Sequence, residues 1–534
     1  MRNLVTGKQM KQIDQYTIEK IGIPSLVLQE RAALLVALEV KKRVKKGTKI
    51  WAVCGTGNNG ADAAAAARIL YLSGYPAALV LAGDRKKETA ECRTQRMIGE
   101  NLGIVSVNWQ EITEEIDGVI LDGLFGVGLA REVDGEFRSC IKWLKGQPSI
   151  LTVAVDLPSG IHSDTGEVMG AAVQADVTIT FGWEKCGTVL FPGREYAKEV
   201  VIGDIGFPDL AYEKAALKSG AGENPVFTYG LEDLKLLPGR PAYSNKGTFG
   251  HVLIAAGSKN MSGAAYLCAK AAYRCGAGLV KLLTVEENRE ILQQLLPEAI
   301  LAVCDPKMAL ENPEGFEQLL EKECIWADAV VLGPGLGGEE YVKKLVAGIL
   351  SAACSAVIVD ADALNIIAAN PELTRYYTEN IVITPHLGEM ARLTGKTIKE
   401  IQKDVSGAAA EYASRWGITC VLKDAATVVS DRGGWLYLNT SGNSAMAKAG
   451  SGDVLAGMIG ALCAQGMELF EGAALSVYLH GLAGDEYQKR HGRASLLARE
   501  LADLAGELAD RAGKSADKIG NPAEKEKTDG GKTG

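Results

Sequence analysis

The chain is poor in the residues that mark several large protein classes. Its 534 residues include five histidines, His162, His251, His386, His480 and His491, all far apart. No HExxH pair occurs, so a zinc site of that helical type is excluded. Eleven cysteines are scattered singly with no CxxC, which argues against a zinc ribbon, a thioredoxin-type pair or a disulfide framework. No stretch of 18 apolar residues appears, so no helix is expected to cross a bilayer. The opening "MRNLVTGKQMKQIDQYTIEK" lacks the apolar core of a secretion signal, and the expected location is the cytoplasm. Basic charge is short as well: 57 Lys and Arg stand against 66 Asp and Glu, a net charge of −9. A nucleic-acid or membrane partner is therefore not expected. The chain also has no GxxxxGK[ST], which excludes a P-loop NTPase.

What the chain has is glycine, 62 of them, within a composition that is 47% hydrophobic. Its length calls for at least two domains. Apolar, β-rich runs recur, each followed by helical periodicity: "KIWAVCG", "AALVLAG", "GVILDGLFG", "ILTVAVDLPSG", "DVTITFG", and later "HVLIAAGS", "DAVVLGPGLG", "AVIVDADALN", "NIVITPHLGE" and "CVLKDAATVV". Continuous apolar strands alternating with helices predict mostly parallel, covered sheets. The expected organisation is α/β: one domain over 1–210, a linker over 211–224 in a stretch that reads equally as a divergent helix, a second domain over 225–510, and a disordered polar tail over 511–534.

In the first domain "CGTGNNGADA" holds a literal GxGxxG at Gly55, Gly57 and Gly60, with Asp84 after the next strand. That pattern reads equally as a dehydrogenase fingerprint or a tight turn. Other strand ends add Asp122, Asp156 and Ser159 to Asn58, Asn59 and Asp62. Ligands of open parallel sheets bind beyond the carboxyl ends of the strands. These carboxylate, amide and hydroxyl oxygens suit a hard cation.

The second domain carries "AGSGDVLAG". A helix starting near Asp453 leaves the amides from Gly450 through Ser451 and Gly452 to Asp453 without intrahelical partners, an anion site for a phosphoryl group. Asp453 beside it is placed to take a proton from an attacking hydroxyl. The simpler alternative is an acid that only complements the helix dipole. "LGPGLG", "VDADAL" with Asp360 and Asp362, "TPHLGE" with His386 and Glu389, and "VLKDAAT" with Lys423 supply further strand ends for a nucleotide site.

Two family resemblances cover these motifs. "MKQIDQYTIEKIGIPSLVLQERAA", "GTGNNGADA", "LDGLFGVGL" and "VDLPSGIHSDTG" resemble the NAD(P)H-hydrate epimerase domain. This implies a Rossmann-like three-layer αβα fold and a potassium ion held by Asn59, Asp122 and Ser159. The damaged cofactor would touch Asn58, Asn59, Gly60, Ala61 and Asp62, and also Gly126, Val127, Gly128, Leu129, Ala130, Arg131 and Glu132. Asp156 would be the acid/base group. The family's Gly-Gly-Asp-Gly reads Gly60-Ala61-Asp62-Ala63 here, and a related domain serves elsewhere as a binding scaffold. "KGTFGHVLIAAGS", "VVLGPGLG", "VIVDADALN", "TPHLGEMARLTG" and "GNSAMAKAGSGDVLAG" resemble the ADP/ATP-dependent NAD(P)H-hydrate dehydratase, which has a ribokinase-like αβα fold. This implies nucleotide contacts from Lys423, Asp424, Ala425, Ala426, Thr427 and Gly452. Substrate contacts would come from Ala264, Gly337, His386 and Asp453. Leu387 and Asp424-Ala425 depart from the family pattern. Together the resemblances imply a bifunctional repair of hydrated NADH and NADPH, with R and S forms interconverted first and the S form dehydrated with ADP or ATP and Mg2+. They also imply a homo-oligomer. The rival expectation is a small-alcohol kinase with an N-terminal binding scaffold.

Overall fold

The structure, a computed structural model, describes residues 1–216, 225–352 and 355–520. The chain forms two compact units. One is Asn3–Val226; the other joins Met1–Arg2 to the described residues from Phe227 onward.

Seven parallel strands build the first unit: β1 (Ile50–Cys54), β2 (Ala77–Leu81), β3 (Val105–Asn108), β4 (Val119–Gly123), β5 (Leu151–Val155), β6 (Val177–Phe181) and β7 (Glu199–Gly203). Their order is β3-β2-β1-β4-β5-β6-β7. The strand order reverses between β1 and β4, the kind of place where doubly wound sheets bind ligands. Side chains alternate between two cores. Ile50, Ala52 and Cys54 face α2 (Ser25–Arg43) and α3 (Asn58–Leu72). Trp51 and Val53 face the opposite layer, with Cys140, Ile141 and Leu144 of α5 (Gly135–Lys145). Both faces being covered is why the strands read as unbroken apolar runs. The run Ala63–Ala67 is buried; methyl-sized side chains let α3 lie close to α2 and to α4 (Ala90–Asn101). Helix α1 (Gly7–Tyr16) precedes these, capped by a Thr6–Gln9 box.

In the second unit the strands are β8 (Val226–Thr228), β9 (His251–Ala255), β10 (Leu279–Thr284), β11 (Ile300–Val303), β12 (Ala329–Leu332), β13 (Ala356–Val359), β14 (Ile381–Ile383), β15 (Thr419–Leu422), β16 (Val428–Ser430) and β17 (Leu436–Leu438). Their order is β11-β10-β9-β12-β13-β14-β15-β16-β17-β8. Pairing is parallel from β11 to β15 and antiparallel from β15 to β17. One core holds Val252, Ile254, Val331 and Ile358 under α6 (Ser262–Arg274), α9 (Ser451–Ala464), α10 (Leu469–His491) and α11 (Ala498–Gly520). Helices α7 (Ala361–Ala369) and α8 (Leu387–Thr394) follow β13 and β14. The expected α/β class, with layered helices and mainly parallel sheets, is the one observed.

Glycine sets the depth of α9. A Cβ on Gly457 would overlap the carbonyl oxygen of Cys268 on α6. Gly457→Ala is expected to push the two helices apart and cost about 1–3 kcal/mol, read as a lower Tm; an unchanged Tm would show that the contact yields freely.

One boundary expectation is decided between its alternatives and another is corrected. Residues 209–224 were expected as a linker or a divergent helix, and of these Asp209–Ala211 and Tyr212–Ala216 are helical. Tyr212 is buried and stacks on Trp183 at 5.3 Å, and that aromatic burial holds the segment down. The expected disordered tail began at 511, but α11 continues to Gly520. Leu508, Ala509 and Ala512 recur at helical spacing and pack on the core, while Arg511 pairs with Glu507 four residues earlier. Residues 217–224 of the linker and 521–534 of the tail lie outside the described residues. Among the described residues no helix is long and apolar enough to cross a membrane.

Candidate active sites

The first site lies at the carboxyl ends of β4 and β5. Asp122 is the penultimate residue of β4, and Asp156 follows β5 directly. Asp122 is fully buried. Its oxygens accept from Ser159 Oγ at 2.6 Å, the Ser159 amide at 2.8 Å and the Leu124 amide at 3.3 Å. Burial pushes its carboxyl up to about 6 against these bonds. Phe125 connects the next pieces: its amide donates to Ser159 Oγ at 2.8 Å, and its carbonyl accepts from Asn59 Nδ2 at 2.9 Å. Asn59, Asp122 and Ser159, the expected cation ligands, are therefore brought together.

Asp156 has a positive φ of 67°, which a non-glycine residue adopts only at a cost. Its Oδ1 accepts from Lys185 Nζ at 2.6 Å and Thr180 Oγ1 at 3.2 Å. Its Oδ2 faces Gly126, lying 3.4 Å from where a Cβ there would sit. One oxygen is thus anchored, and the other is turned to the loop expected to touch substrate. Lys185 is 1% exposed. It also donates to the Phe181 carbonyl at 3.1 Å. Sequence reasoning missed it. The only available signal is a lysine just after an apolar strand, in "FGWEKCG".

Asp62 also belongs here. Burial raises its carboxyl well above the ordinary range, the charges of Asp156 and Asp14 add to the rise, and a bond from Gln29 opposes it. Asp14 of α1 is raised by burial and then by Asp156. Asp14 and Gln29 were not foreseen, since no local pattern marks either.

The glycine pattern has a packing cause. A Cβ on Gly55 would overlap the Leu124 carbonyl, and one on Gly60 would overlap the Gly55 carbonyl. Gly55 fits the turn before α3 against the residue after β4, and Gly60 fits α3 onto that turn. Ala61 and Ala63 are fully buried, and Ala63 packs against Gly123, so both methyls point into protein. Asn58 is exposed at the first position of α3. Along the loop Gly126 and Val127 are half-buried, Leu129 is buried, and Gly128, Ala130, Arg131 and Glu132 are exposed. Asp84 instead caps its own turn, accepting from the Lys86 amide at 3.0 Å.

The second site surrounds the leading end of α9. Gly450 takes φ 91° as its N-cap, and the left-handed turn swings "GSGD" into the helix. The Ser451 amide bonds the Lys448 carbonyl at 3.3 Å. The amides of Gly452 and Asp453 remain as first-turn donors, where a helix offers no acceptor of its own. Gly452 borders Lys423 Nζ, 3.3 Å from where its Cβ would be. Lys423 Nζ donates to Asp360 Oδ1 at 2.7 Å, which also accepts from Thr384 Oγ1 at 2.7 Å. Asp453 is pushed up to about 6 by burial and by Asp360 and Asp362, with Lys423 opposing.

His386 caps α8. Its Nδ1 accepts from the amides of Gly388 at 2.9 Å and Glu389 at 3.3 Å, so the neutral ring carries its proton on Nε2. Burial, then Lys423 and Arg392, lower its pKa, which keeps the ring neutral near pH 7. His386 and Lys423 sit side by side in an isolated parallel bridge. The Gly337 amide donates to Asp362 Oδ2 at 2.8 Å. Ala264 packs against Gly335 of the same turn. So Gly337, His386, Lys423, Gly450, Ser451, Gly452 and Asp453 share one strand-end region. Asp424 and Ala425 are exposed beyond Lys423, Ala426 is buried, and Thr427 leads into β16. The Asp360–Lys423 pair was not foreseen.

Known proteins share this pattern. The NAD(P)H-hydrate dehydratase family profile matches residues 252–505, and the YjeF-related N-terminal profile matches 25–187. The Bifunctional NAD(P)H-hydrate repair enzyme Nnr of Thermofilum pendens is 35% identical, over 91% of this chain and 92% of its own. Its Moorella thermoacetica namesake is 34% identical, over 94% and 95%. A Bacillus subtilis ADP/ATP-dependent NAD(P)H-hydrate dehydratase crystallised with ATP and Mg2+ is 34% identical, covers 53% of this chain and 98% of its own, and has a TM-score of 0.47.

Proposed function

Because this chain belongs to the bifunctional NAD(P)H-hydrate repair enzyme family, we propose that it returns hydrated NADH and NADPH to their reduced forms by two reactions. Residues 1–210 carry the epimerase and residues 225–510 the dehydratase. The observation that bears most weight is Asp453, a carboxylate pushed up to about 6 beside the first-turn amides of α9.

A hydroxyl on the hydrated carbon is a poor leaving group, so it must first be activated. Asp453 takes the hydroxyl proton as that oxygen attacks the terminal phosphorus of ADP or ATP. The Gly452 and Asp453 amides donate to the phosphoryl oxygens in flight. The bond to the nucleotide's bridging oxygen breaks, and the ring nitrogen's lone pair then expels phosphate. Lys423, held by Asp360, sets positive charge next to the incoming nucleotide, with Thr427, Asp424, Ala425 and Ala426 beside it. Mg2+ accompanies the nucleotide. In the first domain Asp156 Oδ2 exchanges a proton with the hydroxyl on the hydrated carbon, with Lys185 holding Oδ1. Asn59, Asp122, Ser159 and the Phe125 carbonyl offer an all-oxygen set with one buried acid, which fits K+. That ion would steady the loop after β4 against the start of α3. A homo-oligomer in the cytoplasm belongs to the same reading.

The test mixes the chain with R and S hydrates of NADH and each nucleotide, then follows recovery of NADH absorbance. Return of all the hydrate supports both reactions. A stable phosphate ester would identify a kinase instead. The acid limb gives a further check. Asp453 must be ionised to take a proton, so kcat/KM for S-hydrate dehydration is expected to fall about tenfold per unit below about pH 6. A profile flat down to about pH 5 would remove Asp453 as the base.

A further inference from the structure

A cavity of about 320 Å³ opens where α1 meets the loop that begins at Gly126. Lys8, Lys11, Val127, His162 and Ser163 line it. We infer that it receives a phosphate group of the hydrated dinucleotide and so adds to the binding of that substrate; this rests on the epimerase reading above. Gly126 lies against Asp156 Oδ2, and the next residues of the same loop wall the cavity. A ligand held at Asp156 and extending along the loop therefore enters it. The volume suits a sugar-phosphate portion.

The chemistry of the walls selects an anion. Lys8 and Lys11 are three residues apart, on one face of the leading turns of α1, whose dipole adds positive potential. His162 Nδ1 accepts from the Asp164 and Thr165 amides at 3.3 Å each, which leaves Nε2–H as a donor. The acid nearby is engaged: Asp164 Oδ1 accepts from the Gly7 amide at 2.5 Å and Ser163 Oγ at 2.9 Å. Lys8, Lys11 and the His162 donor line the cavity beside that occupied carboxylate, and the helix dipole adds to their positive potential.

The test uses full-length Lys8→Gln/Lys11→Gln and, beside it, Lys8→Arg/Lys11→Arg. For the Gln pair, KM for epimerisation is expected to rise about tenfold with kcat within about twofold, and S-hydrate dehydration is expected not to change. The Arg pair should restore KM. A rise with both NADH and NADPH hydrates places the pyrophosphate bridge in the cavity; a rise with the NADPH hydrate alone places the ribose 2′-phosphate there. An unchanged KM with both substrates overturns the inference. If the wild-type chain fails to epimerise, the epimerase reading falls, and amide exchange with inorganic pyrophosphate decides the cavity separately. Protection of residues 7–12 in wild type and not in the Gln pair upholds an anion site, and no protection overturns it.

Discussion

Asp453→Asn is expected to stop dehydration while nucleotide still binds. Removing a positioned base costs about 10²–10⁴-fold in turnover. The amides of Gly452 and Asp453 belong to the backbone and survive the change, so the nucleotide Kd should move less than about threefold. Stability should not fall. Burial and the charges of Asp360 and Asp362 raise the folded pKa of Asp453 to about 6, above the unfolded value of about 3.9. The folded chain therefore binds the extra proton between those values, and stability drops as pH rises from about 4 to about 6. Asn carries no charge, so the variant should lose that dependence and melt no lower than wild type at pH 7. Turnover within about tenfold of wild type would rule out a base at this position.

Asp156→Asn should divide the two reactions. A mixture of R and S hydrates with nucleotide should yield NADH only to the level of the S fraction, then continue at the rate of uncatalysed epimer exchange. Wild type should go to completion. The epimerisation rate should fall at least about 10²-fold, while S-hydrate dehydration in the same tube stays unchanged and controls for folding. Asn keeps an oxygen for Lys185 Nζ and tolerates the left-handed backbone. Asp156→Ala is the harsher change, because it leaves the buried Lys185 cation without its 2.6 Å partner. Breaking a buried pair from one side costs about 3–5 kcal/mol, so that variant should lose both epimerisation and Tm. Completion of the mixed reaction by Asp156→Asn at the wild-type rate would discard the assignment.

The parts legible in the sequence are those with short-range signatures. Asp122 and Asp156 end apolar runs, and a strand in a covered sheet delivers its last residues to the ligand edge. The small residues before Asp453 require a turn that only glycine adopts freely, and Gly450 at φ 91° is that turn. What stayed hidden depends on contacts distant in sequence. Lys185 lies 29 residues beyond Asp156, and Lys423 lies 63 beyond Asp360. Neither spacing has a periodicity to betray it. The GxGxxG pattern misleads for a physical reason: glycine is needed wherever backbone approaches backbone, and the neighbours at Gly55 and Gly60 are carbonyls of this protein. The tail expectation failed where amphipathic spacing, as at Leu508, Ala509 and Ala512, outweighed a polar composition.

Both sites hold a non-glycine residue in the left-handed region: Asp156 at φ 67° and Ala361, between Asp360 and Asp362, at φ 49°. Such a residue costs the fold about 1–2 kcal/mol, and glycine would relieve it. A variant library sorted only for heat resistance would therefore drift toward glycine at 361 with both activities kept. No such drift is expected at 156, where glycine would gain about 1–2 kcal/mol from the backbone but lose about 3–5 kcal/mol by leaving the buried Lys185 without its partner. Selection for toughness and selection for full repair therefore both keep a partner for Lys185 at this position.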